Sequence, residues 1–300
     1  MSNTKGIYPI LYAFFQGDGG LDREAMRLQA EACVAMGAHG VAALGLATEV
    51  SKLSKAERHD VMTWLAEDID GRLPIAITVF GATPEEQISY VKAAADLRAD
   101  WVILQPPQGD PVGEADLIRF FGKVMDASPL PVAIQNAPQY LGVGLSDEGL
   151  LTLCRNHANF QLLKGEGSAL QIADTIQATN GVLAVFNGRG GLELTDNLRA
   201  GCKGMIPAPE CADLQVQIYK LMQAGDEEEA ERQYRKLLPL ITFLMQSVDQ
   251  FLCYGKRLTA RRLGFGEVVD RKPGQRPTAL GLAILDRYSR ELGPFPKAAP

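Results

Sequence analysis

Two ionisable side chains stand two residues apart at the end of an apolar segment. Lys164 follows the run Phe160–Leu163, and Glu166 comes after one intervening glycine. A lysine in a poorly hydrated opening is disfavoured as its ammonium form, and a free amine condenses with a ketone to give a Schiff base. Because residues two apart share one face of an extended chain, Glu166 could accept a proton beside that amine. An exposed lysine in a simple ion pair is the alternative.

A second candidate element is the turn Gly45-Leu46-Ala47-Thr48-Glu49. A turn that starts with glycine exposes backbone N–H groups, which suit a carboxylate, and Thr48 adds a hydroxyl donor. Such a turn could cradle a substrate carboxylate, although an ordinary turn is favoured on these residues alone. In that ordinary turn, Thr48 or Ser51 caps the following helix.

Arg189 stands in the glycine-rich stretch Gly188–Gly191. This stretch fits neither the GxGxxG nor the Walker pattern, so nucleotide binding is not indicated. The guanidinium fork of Arg189 suits an anion, and we expect it to hold a second carboxylate at the far end of a substrate. A solvated surface arginine is the alternative.

The composition excludes several classes of protein. The 300 residues carry a net charge of −6, with 46% hydrophobic and 22% charged residues, so the chain lacks the basic clusters of a nucleic-acid partner. No apolar run approaches the roughly 18–20 residues of a membrane span, and the first residues contain no signal-peptide core. Five scattered cysteines fit a reducing cytoplasm, and three dispersed histidines predict no metal site.

Short β-prone segments alternate with amphipathic stretches of helical length. This alternation predicts an α/β fold, a (β/α)8 TIM barrel with a C-terminal helical extension; a doubly wound sheet is the competitor. Residues 1–210 are expected to form the barrel core up to the eighth strand, and residues 211–300 the last barrel helix and the extension, within one structural domain. The predicted strands are Ile7–Phe14, Gly40–Leu44, Ile75–Phe80, Trp101–Leu104, Val132–Gln135, Phe160–Leu163, Val182–Phe186 and Gly204–Ile206.

In a parallel barrel the carboxyl ends of the strands meet at one mouth, where active groups lie. Residues at the ends of the predicted strands are therefore candidates for a site. Besides those described above, they include Gln135 as the last residue of the fifth strand, Asn187 and Gly188 after the seventh, and Ile206 as the last residue of the eighth.

The order of these motifs resembles the dihydrodipicolinate synthase / N-acetylneuraminate lyase family of Schiff-base aldolases, from Gly6 to about Leu292. The resemblance implies that Lys164 is the Schiff-base lysine and that the backbone of Ala47 and Thr48 holds the carboxylate of a 2-oxo acid. It also implies a homotetramer that needs no cofactor. The matching motifs are Gly45–Glu49, Gln105-Pro-Pro107, Gln135-Asn-Ala-Pro138, Lys164, Asn187-Gly188, Gly204-Met-Ile-Pro207 and Lys256.

The chain departs from the family pattern at residues that move protons. The family's proton-shuttling tyrosine is Gln135 here, the second tyrosine of its relay is Gln108, and the arginine of its synthases is Tyr140. The paired threonines of the turn are Leu46 and Ala47. We therefore do not expect a lysine-biosynthetic synthase.

One branch of the family, the L-2-keto-3-deoxyarabonate dehydratases, is similar in having glutamine at this tyrosine position and glutamate two residues after the lysine. Glutamine takes no proton at working pH, whereas Glu166 could take the C3 proton of an iminium. We therefore predict a lyase that dehydrates a 2-oxo-3-deoxy sugar acid. Lys164, Glu166 and Gln135 are its expected catalytic residues. Tyr140 or Thr48 is expected to supply the hydroxyl that the family's tyrosine provides elsewhere.

The alternative activity is a pyruvate-releasing aldolase, and a dihydrodipicolinate synthase or a non-catalytic sensor of 2-oxo acids is less favoured. The expected partner in each case is a small 2-oxo acid. The expected substrate-binding residues are Ala47, Thr48, Tyr140, Asn187, Gly188, Arg189 and Ile206.

Overall fold

The computed structural model describes residues 4–107 and 112–297, so Gln108 lies outside the described residues. In this part of the chain, eight parallel strands pair in the order β1-β8-β7-β6-β5-β4-β3-β2. The prediction of a TIM barrel with C-terminal helices is therefore confirmed. The strands are β1 (Gly6–Ile7), β2 (Val41–Ala43), β3 (Ile75–Val79), β4 (Trp101–Leu104), β5 (Val132–Asn136), β6 (Phe160–Gly165), β7 (Ala184–Asn187) and β8 (Gly204–Met205).

The sheet closes between β1 and β2 through an isolated bridge. Ile10 pairs in parallel with Ala42, and the N–H of Leu11 donates to the carbonyl of Ala42 at 2.9 Å. The prediction of a first strand over Ile7–Phe14 is wrong, because the regular ladder stops at Ile7. Beyond Ile7 the regular strand ends, although the N–H groups of Tyr8 and Ile10 still donate to the carbonyls of Met205 and Pro207 at 3.0 and 2.7 Å.

Several helices begin where a side chain accepts from their first free N–H groups. Ser54 and Glu57 form a complete capping box at α2, and Thr83 caps α3 with Pro84 in its first turn. The helices are α1 (Arg23–Ala35), α2 (Lys55–Ile69), α3 (Pro84–Asp96), α4 (Glu114–Ala127), α5 (Pro138–Leu141), α6 (Asp147–Asn156), α7 (Ala169–Ala178), α8 (Leu194–Arg199), α9 (Ala212–Ala224), α10 (Glu227–Leu244), α11 (Val248–Gln250), α12 (Lys256–Leu263) and α13 (Ala279–Leu292).

Large aromatic side chains fill the lumen of the barrel. Tyr8, Trp101 and Phe186 are buried there, with ring centroids between 5.5 and 5.7 Å apart. A larger apolar layer lies between the strands and the surrounding helices. The lumen is therefore a packed core rather than a channel, and strand ends rather than strand centres can meet a ligand.

The extension after β8 is helical and packs on the barrel. A charged stretch, Asp226–Arg235, and an apolar stretch, Leu237–Met245, fall mainly within one helix, α10. After α11, residues Phe251–Gly255 form a π-helical turn that leads into α12. Such turns re-aim side chains and are frequent at functional sites.

The proposed boundary after residue 210 falls within the short turn Pro209–Cys211, between β8 and α9. The division of the chain and its organisation as one domain stay predictions. Within the described ranges, no single helix has the length and apolar composition to cross a membrane; α10 and Val248–Leu263 reach them only as a pair bent by 108°.

Candidate active site

A pocket opens at the carboxyl ends of the strands. Four ionisable side chains line it, namely Tyr140, Lys164, Glu166 and Arg189. A concave apolar site with a few convergent polar groups is typical for binding of a small molecule. The remaining lining residues are Ile10, Leu46, Ala47, Gly190, Ile206, Ala208, Met245, Val248 and Phe251.

Lys164 and Glu166 meet in this pocket as their spacing predicts. Lys164 is the last residue but one of β6, and Glu166 follows the end of that strand. Lys164 Nζ lies 3.2 Å from Glu166 Oε1, and the two side chains are only 4% and 6% exposed. A buried amine therefore stands beside a buried carboxylate, which can act as its proton partner.

Both oxygens of Glu166 accept further hydrogen bonds. Gln135 Nε2 donates to Oε1, and the backbone N–H of Arg189 donates to Oε2, each at 3.1 Å. The carboxylate is thus held as a hydrogen-bond acceptor with one oxygen toward Lys164.

Gln135 lies behind Glu166 rather than on the pocket wall. Its side chain is fully buried, and its Oε1 accepts from Gln105 Nε2 at 2.8 Å. In this arrangement Gln135 can act on the reaction only indirectly, through its hydrogen bond to Glu166.

Gly188 and Asn187 build the site without lining it. A Cβ at Gly188 would lie 2.5 Å from Glu166 Oε2, so a larger residue there would displace the carboxylate. Asn187 Nδ2 donates to the carbonyl of Gly167 and to Asn197 Oδ1, at 2.9 and 2.8 Å. Both residues were expected to bind substrate. In the structure they contact the loops that follow β6 and β7 and hold them in place.

The turn after β2 brings Ala47 to the pocket, but not the hydroxyl of Thr48. Thr48 Oγ1 donates to the carbonyl of Leu11 at 2.6 Å and accepts from Leu44 N–H at 2.9 Å. This hydroxyl is buried and already has two backbone partners. The expectation that it contacts substrate, or replaces the hydroxyl of the family's tyrosine, is therefore wrong. That the backbone amides of Ala47 and Thr48 hold a substrate carboxylate stays a prediction.

Two loops of the site carry residues in the left-handed region of backbone space. Leu44 and Glu49 have φ of 65° and 53° in the turn after β2, and Arg189 and Glu193 have φ of 53° and 55° after β7. Non-glycine residues in this region carry a conformational cost that clusters at ligand sites. The surrounding contacts therefore hold both loops in strained conformations.

Arg189 reaches the pocket with a guanidinium that already has protein partners. Its Nη1 donates to the carbonyl of Gly167 at 3.0 Å and pairs with Glu193 Oε2 at 2.9 Å. Its side chain also hydrogen bonds to Tyr140. Burial and the charge of Glu166 raise the pKa of the Tyr140 hydroxyl, although Arg189 opposes them. Tyr140 is thus a protonated hydroxyl next to Glu166 at neutral pH.

Three side chains from the C-terminal extension complete the pocket. Met245 follows α10, Val248 begins α11, and Phe251 begins the π-helical turn. No residue of the extension was predicted to line the site, because an apolar side chain in a helix carries no local signal of which pocket it meets. Ile206 after β8 lines the pocket as predicted.

The site offers an amine, a carboxylate and a phenol inside an apolar enclosure. Within residues 4–107 and 112–297, no group of three or more histidine, cysteine, aspartate or glutamate side chains is arranged to hold a metal ion. The described pocket therefore supplies covalent capture by an amine and proton transfer at adjacent atoms.

Comparisons with known proteins agree with this geometry. The model of the "Dihydrodipicolinate synthetase family" matches residues 3–269. The chain is 27% identical over 246 residues to the "Probable 2-dehydro-3-deoxy-D-pentonate aldolase YjhH" of Escherichia coli K12, covering 80% of this chain and 81% of that protein. It is also 27% identical over 246 residues to a 4-hydroxy-tetrahydrodipicolinate synthase of Methanospirillum hungatei, covering 79% and 82%.

A solved structure supports the same architecture. YagE, a prophage protein of E. coli K12 solved with pyruvate, superposes with a TM-score of 0.87 at 24% identity, covering 97% of this chain and 99% of that one. At this identity the likeness bears on the fold alone.

Proposed function

This chain belongs to the dihydrodipicolinate synthetase family and is a lyase, and we propose that it dehydrates a 2-oxo-3-deoxy sugar acid through a Schiff base on Lys164. The observation that carries the proposal is the buried contact of 3.2 Å between Lys164 Nζ and Glu166 Oε1. It puts a carboxylate base beside the amine, where the C3 proton of a bound 2-oxo acid becomes acidic.

The reaction begins with capture of the ketone. The amine of Lys164 adds to C2, water leaves, and an iminium forms. The free backbone amides of Ala47 and Thr48 suit the carboxylate at C1. Glu166 then takes the proton from C3, and the electrons of that bond form an enamine.

The enamine electrons expel the C4 hydroxyl group, which takes the phenolic proton of Tyr140 and leaves as water. The proton on Glu166 returns to Tyr140 through solvent. One water hydrolyses the remaining unsaturated iminium and replaces the water lost in its formation. The net change is loss of one water from the substrate.

Cleavage between C3 and C4 would instead need a base on the C4 hydroxyl. Gln135 stands at the family's tyrosine position and cannot accept that proton. Tyr140 is poorly suited to the task, because its raised pKa favours the neutral phenol over the phenolate base. An aldolase that releases pyruvate remains the second candidate, since the relative YjhH is named as an aldolase.

The same proposal includes the partner and the setting of the protein. We propose that its ligand is a small 2-oxo acid, that the chain assembles as a homotetramer like other members of the family, and that it works in the cytoplasm. The five cysteines are unpaired, which suits a reducing compartment.

The deciding experiment is a panel of 2-oxo-3-deoxy sugar acids with detection of both kinds of product. We expect a 2-oxo acid lighter than its substrate by one water, and sodium borohydride should attach substrate to Lys164. Pyruvate and an aldehyde in equal amounts would establish the aldolase instead. Lys164→Met should lose the borohydride adduct, whereas the exposed control Lys92→Met should keep it.

A further inference from the structure

Three strand ends carry side-chain amides and a carboxylate joined in one direction. Gln105 follows β4, Gln135 lies in β5 and Glu166 follows β6. Gln105 Nε2 donates to Gln135 Oε1 at 2.8 Å, and Gln135 Nε2 donates to Glu166 Oε1 at 3.1 Å. Both glutamine side chains are at most 2% exposed, so water does not compete for these bonds.

The direction of this chain follows from the chemistry of its last member. An ionised carboxylate only accepts hydrogen bonds, so Gln135 must turn its amide nitrogen toward Glu166. Its oxygen then faces Gln105, which must in turn present a donor. If Gln105 presented none, Gln135 could turn over and bring its oxygen against Glu166, an arrangement that only a protonated Glu166 satisfies.

The position of Gln105 is itself well supported. Its N–H donates to the carbonyl of Val79 at 3.0 Å, and its carbonyl accepts from Gln87 Nε2 at 2.8 Å. The backbone of the strand end is thus tied to β3 and α3, and the side chain is left to donate toward β5.

We infer that Gln105 is a positioning residue, which holds the Gln135 amide so that its nitrogen donates to Glu166, the base at C3. The inference rests on the proposed function for the identity of that base. It assigns a role to a residue that contacts neither the pocket amine nor the carboxylate itself.

Other charged or titratable groups also face Glu166. Lys164 of β6 contacts Glu166, and Arg189 donates its backbone N–H from the loop after β7. The charge of Glu166 raises the pKa of Tyr140 on α5. The extension contributes only apolar side chains to the pocket: Met245, Val248 and Phe251. The two glutamines are therefore uncharged groups beside the carboxylate. Replacing them leaves the charged groups around Glu166 in place.

The test uses exchange of the methyl protons of pyruvate for deuterium, followed by proton NMR in D2O across a range of pH. Exchange needs only the Schiff base and the base at C3, with no leaving group. Gln105→Met should move the low-pH limb of the exchange rate upward by about one pH unit, because a carboxylate that loses a fixed donor takes up a proton more readily. The rate on the high-pH plateau should stay within about threefold, as expected when the base is intact once ionised.

A matched control separates positioning from packing. Gln29→Met removes a buried glutamine that bonds to the backbone of Tyr12 and leaves the amide chain and its supports intact, so its limb should not move. Gln135→Met should move the limb at least as far as Gln105→Met, and the double variant should add nothing further. If the Gln105→Met variant does not fold, Gln105→Glu is the substitute because it keeps the shape of the side chain. It places an acceptor instead of a donor against Gln135 Oε1, so the low-pH limb should move in the same direction.

The outcomes divide cleanly. A limb that stays in place in Gln105→Met or Gln105→Glu, or that moves equally in Gln29→Met, would overturn the positioning role. Exchange by the wild-type protein without dehydration of any sugar acid would overturn the proposed function and leave this role open to the same test. Absence of pyruvate exchange in the wild-type protein would overturn both.

Discussion

At the scale of single residues, the chemistry of the site depends on which partner each buried polar atom already has. Lys164 and Glu166 face each other in the pocket, whereas the hydroxyl of Thr48 is consumed by backbone groups. A buried group with a full set of protein partners is stable but unavailable to substrate. Partners therefore decide which polar residues of the mouth can react.

Glu166→Gln should separate capture of substrate from turnover. The amide keeps the size of the side chain but cannot take the C3 proton, and a positioned base contributes ~10²–10⁴-fold. We expect dehydration to fall by that range while borohydride still attaches a 2-oxo acid to Lys164. Rate measurements and intact-mass spectrometry of the trapped protein check the two parts.

The control for this variant is Glu148→Gln. Glu148 is an exposed carboxylate whose Oε1 lies 2.8 Å from Arg155 Nη2. It should turn over at the wild-type rate. Normal turnover by Glu166→Gln would mean that another group takes the C3 proton.

Arg189→Ala tests whether the pocket prefers a substrate with a second carboxylate. A charge-assisted hydrogen bond is worth about 1.5–3 kcal/mol, so KM for a diacid should rise by roughly 10- to 100-fold, and KM for a sugar acid with a neutral end should change little. Steady-state kinetics on one substrate of each kind check this.

The neighbour of Arg189 provides an opposite test. Glu193→Gln removes the anion that partly neutralises the guanidinium, so KM for the diacid should fall. Equal effects of Arg189→Ala on both substrates would remove the second carboxylate from the proposal.

At the scale of elements, the barrel assembles the site because neighbouring strands end at one level. β6 carries Lys164 opposite Gln135 of β5, and Gly165 of β6 pairs with Asn187 of β7. The residues just past these pairs therefore meet across the mouth although they are far apart in sequence. Gly188 shows how closely they meet, since no side chain fits between it and Glu166.

Gly188→Ala should disable the base without removing it. The new methyl group would lie 2.5 Å from Glu166 Oε2, so the carboxylate must rotate away from the N–H of Arg189 and from Lys164. A misplaced catalytic group can cost about 10²-fold in rate, and we expect a loss of that order with the borohydride adduct retained.

Gly17→Ala is the control, because no atom lies within 4 Å of the added carbon there. A crystal structure of Gly188→Ala with Glu166 unmoved and full activity would contradict the explanation.

At the scale of the whole molecule, the extension and the barrel share a buried polar contact outside the pocket. Tyr12, which follows β1, donates to Glu210 Oε2 at 3.0 Å, and Gly255 of the π-helical turn packs on the Tyr12 hydroxyl. Burial raises the pKa of Glu210 to about 7, although its own backbone N–H, Tyr12 and Arg262 oppose the rise. The fold therefore contains a carboxyl group that prefers to be neutral.

This pKa makes stability depend on pH in a definite direction. In the unfolded chain the group ionises near 4.5, so between about pH 4.5 and 7 the folded state holds the proton more tightly. The stabilisation is complete below pH 4.5 and is lost as pH rises through 7, by roughly 3 kcal/mol in all.

Glu210→Gln should abolish that dependence. The amide stays neutral at every pH and keeps an oxygen for the Tyr12 hydroxyl, so the variant should gain on the wild-type protein between pH 5 and pH 8. Urea unfolding at both values and equal protein concentration measures the difference in free energy of unfolding. The exposed control Glu85→Gln should show no such trend, and a constant difference for Glu210→Gln would contradict the assignment.

The barrel, the helix caps and the shared face of Lys164 and Glu166 were predictable from local sequence. Each of these follows from short-range rules: alternation of apolar segments, side chains that cap nearby N–H groups, and the period of two along a strand.

Only the tertiary structure decided which of the remaining residues face the pocket. It turned Thr48 Oγ1 toward Leu11, set Gln135 behind Glu166, and brought Met245 and Phe251 from the extension to the mouth. These placements depend on distances between residues that are far apart in the chain. A residue's type and its neighbours in sequence specify what it can bond to, but the packing of strands and helices determines which partner it meets.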